Sequence, residues 1–157
     1  MNEIEIDMSD FSCGTSNGPT EELPDLQIHV DGSCFPNPGG NMHGGVYIKY
    51  KGRKLWDASS VFLGGNGTNN MAEICIAIYA LTALQRIQAK APEYNVPSVI
   101  ISDSLLIVNA INKGGAKARA LDDKVEEFLK LRDTMEHKPL VVWKRREDNS
   151  KADSRSR

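Results

Sequence analysis

Four carboxylates stand in four separate short motifs: Asp31 in Val30-Asp31-Gly32-Ser33, Glu73 in Thr68-Asn69-Asn70-Met71-Ala72-Glu73, Asp103 in Ile101-Ser102-Asp103-Ser104, and Asp153 in Asn149-Ser150-Lys151-Ala152-Asp153. Each lies where an apolar segment meets a polar one, a position from which a carboxylate projects from a rigid element toward a shared point. If they converge, they form an all-oxygen cluster with no histidine or cysteine among them. Such a cluster suits Mg²⁺ or Mn²⁺ and does not select Zn²⁺. Two ions held this way activate a water and stabilise the leaving oxygen of a phosphodiester. The residue types therefore point to metal-dependent phosphodiester hydrolysis.

The elements that must position these acids can be read from the apolar pattern. Ile28 and Val30 alternate with Gln27, His29 and Asp31, which predicts a strand from Leu26 that ends at the turn-rich stretch Gly32 to Gly40. Gly44 to Tyr50 and Lys54 to Leu63 read as two further strands joined by the hairpin Lys51-Gly52-Arg53, so the first three strands form an antiparallel meander. From Asn69 to Ala89, Ile74, Ile78, Leu81 and Leu84 recur at helical spacing, with Thr68 or Asn69 placed to cap the first turn. Ser98 to Ser102 is the continuous apolar run of a strand buried on both faces, followed by a short helix from Ser104 to about Asn112 that Gly114-Gly115 ends. Leu121, Val125, Phe128, Leu131 and Met135 mark another amphipathic helix, and Pro139 precedes the strand Leu140 to Lys144.

A meander followed by helix, strand, helix and strand predicts an α/β fold, a five-stranded mixed sheet in the order 3-2-1-4-5 with helices on both faces. In that order the first and fourth strands are parallel neighbours at the point where the winding reverses, and a crevice opens at their C-terminal ends. Asp31 and Asp103 sit at those two ends. Glu73 reaches the crevice from the helix, and Asp153 from the segment after the last strand.

Charge agrees with a polyanionic substrate. Residues 1–25 carry seven acids and no Lys or Arg, so residues 26–157 carry 14 acids against 19 bases, a balance of +5. The acidic stretch, rich in Ser, Gly, Asn and Pro, reads as a disordered extension, and residues 26–157 as the folded domain. Six bases, Lys144, Arg145, Arg146, Lys151, Arg155 and Arg157, crowd the segment around Asp153. No apolar run is long enough to cross a bilayer, and the N-terminus lacks the basic start and apolar stretch of a signal peptide. Cys13, Cys34 and Cys75 form no C-x-x-C pair and read as free thiols. A cytoplasmic, monomeric protein with no membrane association is expected.

The order and spacing of DGSCFPNPGG, TNNMAE, IISDS and NSKAD resemble the type 1 ribonuclease H family, over residues 26–157. The resemblance implies endonucleolytic cleavage of the RNA strand of an RNA/DNA hybrid, leaving 5′-phosphate and 3′-hydroxyl ends. It implies two Mg²⁺ ions, or Mn²⁺ in their place, held by Asp31, Glu73, Asp103 and Asp153. By position, Cys34, Asn37, Asn69 and Asn70 resemble the family's substrate-contacting residues, and Thr68 one that holds a phosphate of the DNA strand. Short polar groups of this kind suit a reading of the 2′-hydroxyl across the minor groove.

Two departures narrow the resemblance. Trp143 to Asn149 contains no histidine, whereas many bacterial members carry one in the loop before the last carboxylate. The chain resembles instead the branch with Arg-Glu-x-Asn-x-x-Ala-Asp, in which Arg146 would contact a phosphate without serving as a proton carrier near neutral pH. Between the last two helices the chain offers only Lys113, Lys117 and Arg119 in a short Gly-rich loop, where some members carry a Trp-containing basic handle. Two other readings stand beside the hybrid nuclease. One is a DNA nuclease or integrase of the same fold, which would not need the Asn-rich set. The other is a noncatalytic nucleic-acid-binding module, which would be expected to have lost a carboxylate.

Overall fold

The computed structural model describes residues 22–145. Expectations for residues 1–21, Arg146 and Asp153 concern positions outside the described residues.

The elements follow in the order β1 (Leu26–Phe35), β2 (Asn41–Tyr50), β3 (Arg53–Gly64), α1 (Asn69–Lys90), a 3-10 turn (Pro92–Tyr94), β4 (Ser98–Ser102), α2 (Leu105–Lys113), α3 (Arg119–Asp133) and β5 (Leu140–Trp143). They build one sheet in the order β3-β2-β1-β4-β5. β1 runs antiparallel to β2 and parallel to β4, and β5 runs parallel to β4. The β2–β3 hairpin turns at Lys51 and Gly52, both with positive φ (52° and 82°), as a two-residue turn whose twist matches the strands requires.

The core lies between one sheet face and the helices. Ile28 and Val30 of β1, Val46 and Ile48 of β2, Ile100 of β4 and Val141 of β5 share a buried cluster with residues of all three helices. Those helical residues include Ile74 and Leu81 of α1, Ile107 and Ile111 of α2, and Val125 and Phe128 of α3. The opposite face of β4 and β5 carries a second cluster, Val99, Ile101 and Val142, against which Leu23 packs. The carbonyl of Asp25 accepts a hydrogen bond from the Lys51 backbone N–H at 3.2 Å.

β1 is longer than the alternation predicts. The turn residues from Gly32 onward suggested that the strand stops there, yet pairing with β2 continues from Asp31↔Gly45 to Phe35↔Asn41. What ends near His29 is the pairing with β4, whose last partner pair is His29↔Ile101. Asp31 and Asp103 each lie two residues beyond that pair. β1 therefore keeps one neighbour and loses the other, and the crevice opens on the side where β4 has left.

Candidate active site

Asp31, Glu73 and Asp103 come together in that crevice. One carboxylate oxygen from each lies within 4.8 Å of the other two. Asp31 is 1% exposed and Glu73 7%, while Asp103 is half-buried. Two acids are thus held in the protein interior beside a third, and such crowding of like charges costs folding free energy unless a cation or protons offset it.

Local structure explains how each acid arrives. Asp31 projects from β1, whose alternate residues, Ile28 and Val30, anchor the strand in the core. Glu73 comes from the second turn of α1, whose start is fixed by the Thr68 side chain, with Oγ1 accepting from the Met71 N–H at 3.0 Å. The approach of α1 to β1 depends on Gly32. A Cβ there would fall 2.5 Å from the Ala72 carbonyl carbon and oxygen, so only glycine lets the helix start lie against the strand. The same contact lets the Gly32 N–H donate to Glu73 Oε1 at 3.0 Å. Asp103 follows β4, and its carbonyl accepts from the Trp143 indole Nε1 at 3.1 Å. Around it, Lys144 N–H donates to the Ser102 carbonyl at 2.9 Å, and Ser104 N–H donates to Ser102 Oγ at 3.1 Å.

Electrostatics follow from this crowding. The Glu73 carboxyl is pushed up from 4.5 to about 9, chiefly by burial and then by the charges of Asp103 and Asp31, with the Gly32 N–H pulling the other way. A hydrogen bond between the Glu73 and Asp103 carboxyls also favours the protonated form of Glu73. Burial and the neighbouring carboxylates thus favour either a proton on Glu73 or a cation beside it. Three carboxylates and no nitrogen or sulfur donor match a hard divalent ion, so the residues present fit the metal that their chemistry implies.

Beside the acids lies a braced polar ridge. Asn69 Oδ1 accepts from the Cys34 N–H at 2.8 Å, and Asn37 Oδ1 accepts from the Asn69 N–H at 3.0 Å. Each amide spends its carbonyl on the scaffold, which leaves its NH₂ as the part that can meet a ligand. Asn37, Asn69 and Asn70 are exposed, whereas Cys34 is buried, its Sγ donating to the Pro36 carbonyl at 3.3 Å. Thr68 serves as the helix cap, which occupies its oxygen as an acceptor and leaves its O–H to donate. The structure thus gathers Cys34, Asn37, Asn69 and the three acids around one end of β1 and α1. Lys113, Lys117 and Arg119 are exposed on and beside the α2–α3 connection.

Gly32 and Trp143 were not singled out from the sequence. A glycine inside a strand, directly after the acid, was the available signal for a close backbone approach. For Trp143 the signal was an indole N–H at the end of an apolar strand, which needs an acceptor when half-buried.

A family model for RNase H matches residues 24–152. This chain belongs to the ribonuclease H family. Ribonuclease H of Syntrophus aciditrophicus is 32% identical over 141 residues, covering 82% of this chain and 73% of that protein. Among solved structures, LC11-RNase H1, isolated from compost by a metagenomic approach, is 29% identical with a TM-score of 0.73, covering 84% of this chain and 92% of that one. LC11-RNase H1 in complex with an RNA/DNA hybrid matches at 30% identity and a TM-score of 0.73. Among the described residues no helix is long and apolar enough to cross a membrane.

Proposed function

We propose that this protein is an endonuclease that cleaves the RNA strand of RNA/DNA hybrids, with Asp31, Glu73, Asp103 and Asp153 as its metal-holding carboxylates. The observation that carries this reading is the convergence of three acids from β1, α1 and the end of β4 within 4.8 Å, on a scaffold of the ribonuclease H family. Two Mg²⁺ ions, with Mn²⁺ as a substitute, would supply an activated water and offset the charge on the leaving 3′-oxygen.

The chain's own residues do the rest. Asp31 and Glu73 are fixed by β1 and by the Gly32 N–H, so their oxygens need little reorganisation when substrate arrives. Asp103, half-buried, is held through its backbone by Trp143. The amide nitrogens of Asn37, Asn69 and Asn70 would donate to 2′-hydroxyl and base-edge acceptors across the minor groove, which supplies the preference for an RNA strand. The Thr68 hydroxyl would donate to a phosphate of the DNA strand, and Arg146 to a phosphate near Asp153. A monomer in the cytoplasm is the setting we propose.

The test is a gel comparing labelled RNA/DNA hybrid, duplex RNA, duplex DNA and single strands, each with Mg²⁺, Mn²⁺ or EDTA. Metal-dependent cleavage confined to the RNA of the hybrid is expected. Cleavage of duplex DNA instead would favour the DNA-nuclease reading, and no cleavage of any substrate would favour a binding module.

A further inference from the structure

Five large apolar side chains are exposed among the described residues: Phe35, Phe62, Leu105, Leu106 and Leu140. Scattered singly, such residues need no explanation. Two of these, Phe35 on β1 and Phe62 on β3, lie on the sheet face that carries Asp31, with β2 between them.

The register shows this. Along β1, Asp31, Ser33 and Phe35 alternate with Gly32 and Cys34, which face α1. Ser33 pairs with His43 and Phe35 with Asn41 on β2, which places Phe35 diagonal to His43. His43 in turn pairs with Phe62 on β3, and the two rings meet edge to face with centroids 5.6 Å apart. Phe35, His43 and Phe62 thus form a strip across three strands, with Phe35 88% and Phe62 62% exposed.

The backbone that carries Phe35 is braced on both sides. On either side of Phe35, Cys34 N–H donates to Asn69 Oδ1 at 2.8 Å and Gly40 N–H donates to the Pro36 carbonyl at 2.8 Å. Gly39 and Gly67 N–H groups donate to the Gly67 and Gly40 carbonyls at 2.8 and 3.0 Å, tying the β1–β2 turn to the segment before α1. An aromatic ring kept in water on a fixed backbone loses little conformational freedom when a ligand covers it.

Resting on the hybrid-nuclease reading above, we propose that Phe35 and Phe62 form an auxiliary docking strip for the RNA/DNA hybrid. The strip packs against the sugar edges of the duplex away from the cleaved bond. Phe35 lies four residues along the strand from Asp31, about 13 Å, which corresponds to about four or five base pairs of duplex. Base faces are hidden inside a duplex, so the rings meet riboses, which the wide and shallow minor groove of an A-like helix exposes. The strip sets how much duplex the enzyme needs on one side of the scissile bond.

The experiment uses the full chain and fixed-site hybrids whose duplex extends about two or about eight base pairs beyond the cleaved bond, on either side in turn. The variants are Phe35→Ser, Phe62→Ser and the double, with the Phe35→Tyr and Phe62→Tyr double as the conservative control. For the double Ser variant, KM should rise about tenfold on the hybrid with the long arm over the strip, with kcat within about twofold. KM on the short-arm hybrid should not change, and the Tyr pair should restore wild-type values. Binding of the same hybrids in EDTA, read by fluorescence anisotropy, should show the same arm-length dependence. An unchanged KM and affinity on the long arm, or equal losses on both lengths, would overturn the proposal. If the wild type cleaves no hybrid yet binding still depends on the rings and on arm length, the nuclease reading fails and the strip stands.

Discussion

Replacing Glu73 by Gln isolates the electrostatic tension of the site in a way that needs no substrate. In the metal-free protein the folded-state value of Glu73 is about 9, above the ordinary 4.5. The folded protein therefore keeps that proton while the unfolded chain releases it above pH 4.5, and the stability linked to this group is lost as pH rises from about 4.5 to about 9. The slope is about 1.4 kcal/mol per pH unit, so the loss between pH 5 and pH 8 is on the order of 4 kcal/mol. Gln has nearly the same shape, keeps an oxygen to accept from the Gly32 N–H, and offers an NH₂ toward Asp103 where the protonated acid offered its O–H. It does not titrate. In urea unfolding with EDTA, the two proteins should be of similar stability at pH 5, and the variant should be the more stable by a few kcal/mol, about 4 at most, at pH 8. Adding Mg²⁺ at pH 8 should raise the wild-type midpoint and have much less effect on the variant, since a cation replaces the proton only where a carboxylate is present. Parallel pH dependence of wild type and variant in EDTA would refute the reasoning, because it would mean that Glu73 does not hold its proton in the folded state.

Gly32→Ala places a Cβ 2.5 Å from the Ala72 carbonyl, so it should cost about 1 to 3 kcal/mol of stability and most of the activity; urea midpoints and hybrid turnover measure both. Asn70→Ala should lower turnover at subsaturating hybrid about fivefold to thirtyfold, the worth of one minor-groove hydrogen bond, while Mg²⁺ stabilisation in thermal unfolding stays as in wild type. Deleting residues 1–21, which removes five of the 21 acids and leaves Leu23 against Val99 and Ile101, should tighten hybrid binding at low salt. That gain should vanish as ionic strength rises, and equal affinities of the full-length and shortened proteins at low salt would exclude any competition between the acidic segment and nucleic acid.

The strand order was legible because alternation of apolar residues, one long helix and a two-sided apolar strand leave few right-handed topologies to choose from. The Thr68 cap and the Ser98–Ser102 strand could be read directly from local chemistry. The end of β1 could not. Gly32 to Gly40 carries every local mark of a turn, but Gly32 is retained in the strand because α1 needs its bare backbone, and pairing with β2 overrides turn propensity as far as Phe35. The three acids were readable for the same reason that the topology was: each follows or interrupts an apolar run at the winding reversal. Their mutual distance was not readable, nor was the network through Trp143 and Asn69, since hydrogen bonds between residues 35 and 40 positions apart leave no periodic trace. The strip of Phe35, His43 and Phe62 escaped for a related reason, because it exists only once three strands are in register.

The most direct test of the account is the single-turnover cleavage rate of an RNA/DNA hybrid by Asp103→Asn, measured at saturating Mg²⁺ beside hybrid affinity for the same protein. Asp103 is the half-buried member of the three, and its side-chain amide keeps the shape while removing an anionic ligand. The account predicts a rate lower by at least about a hundredfold, with affinity for the hybrid changed by less than about threefold. Cleavage at the wild-type rate would contradict the assignment of these converging carboxylates as the metal-holding centre.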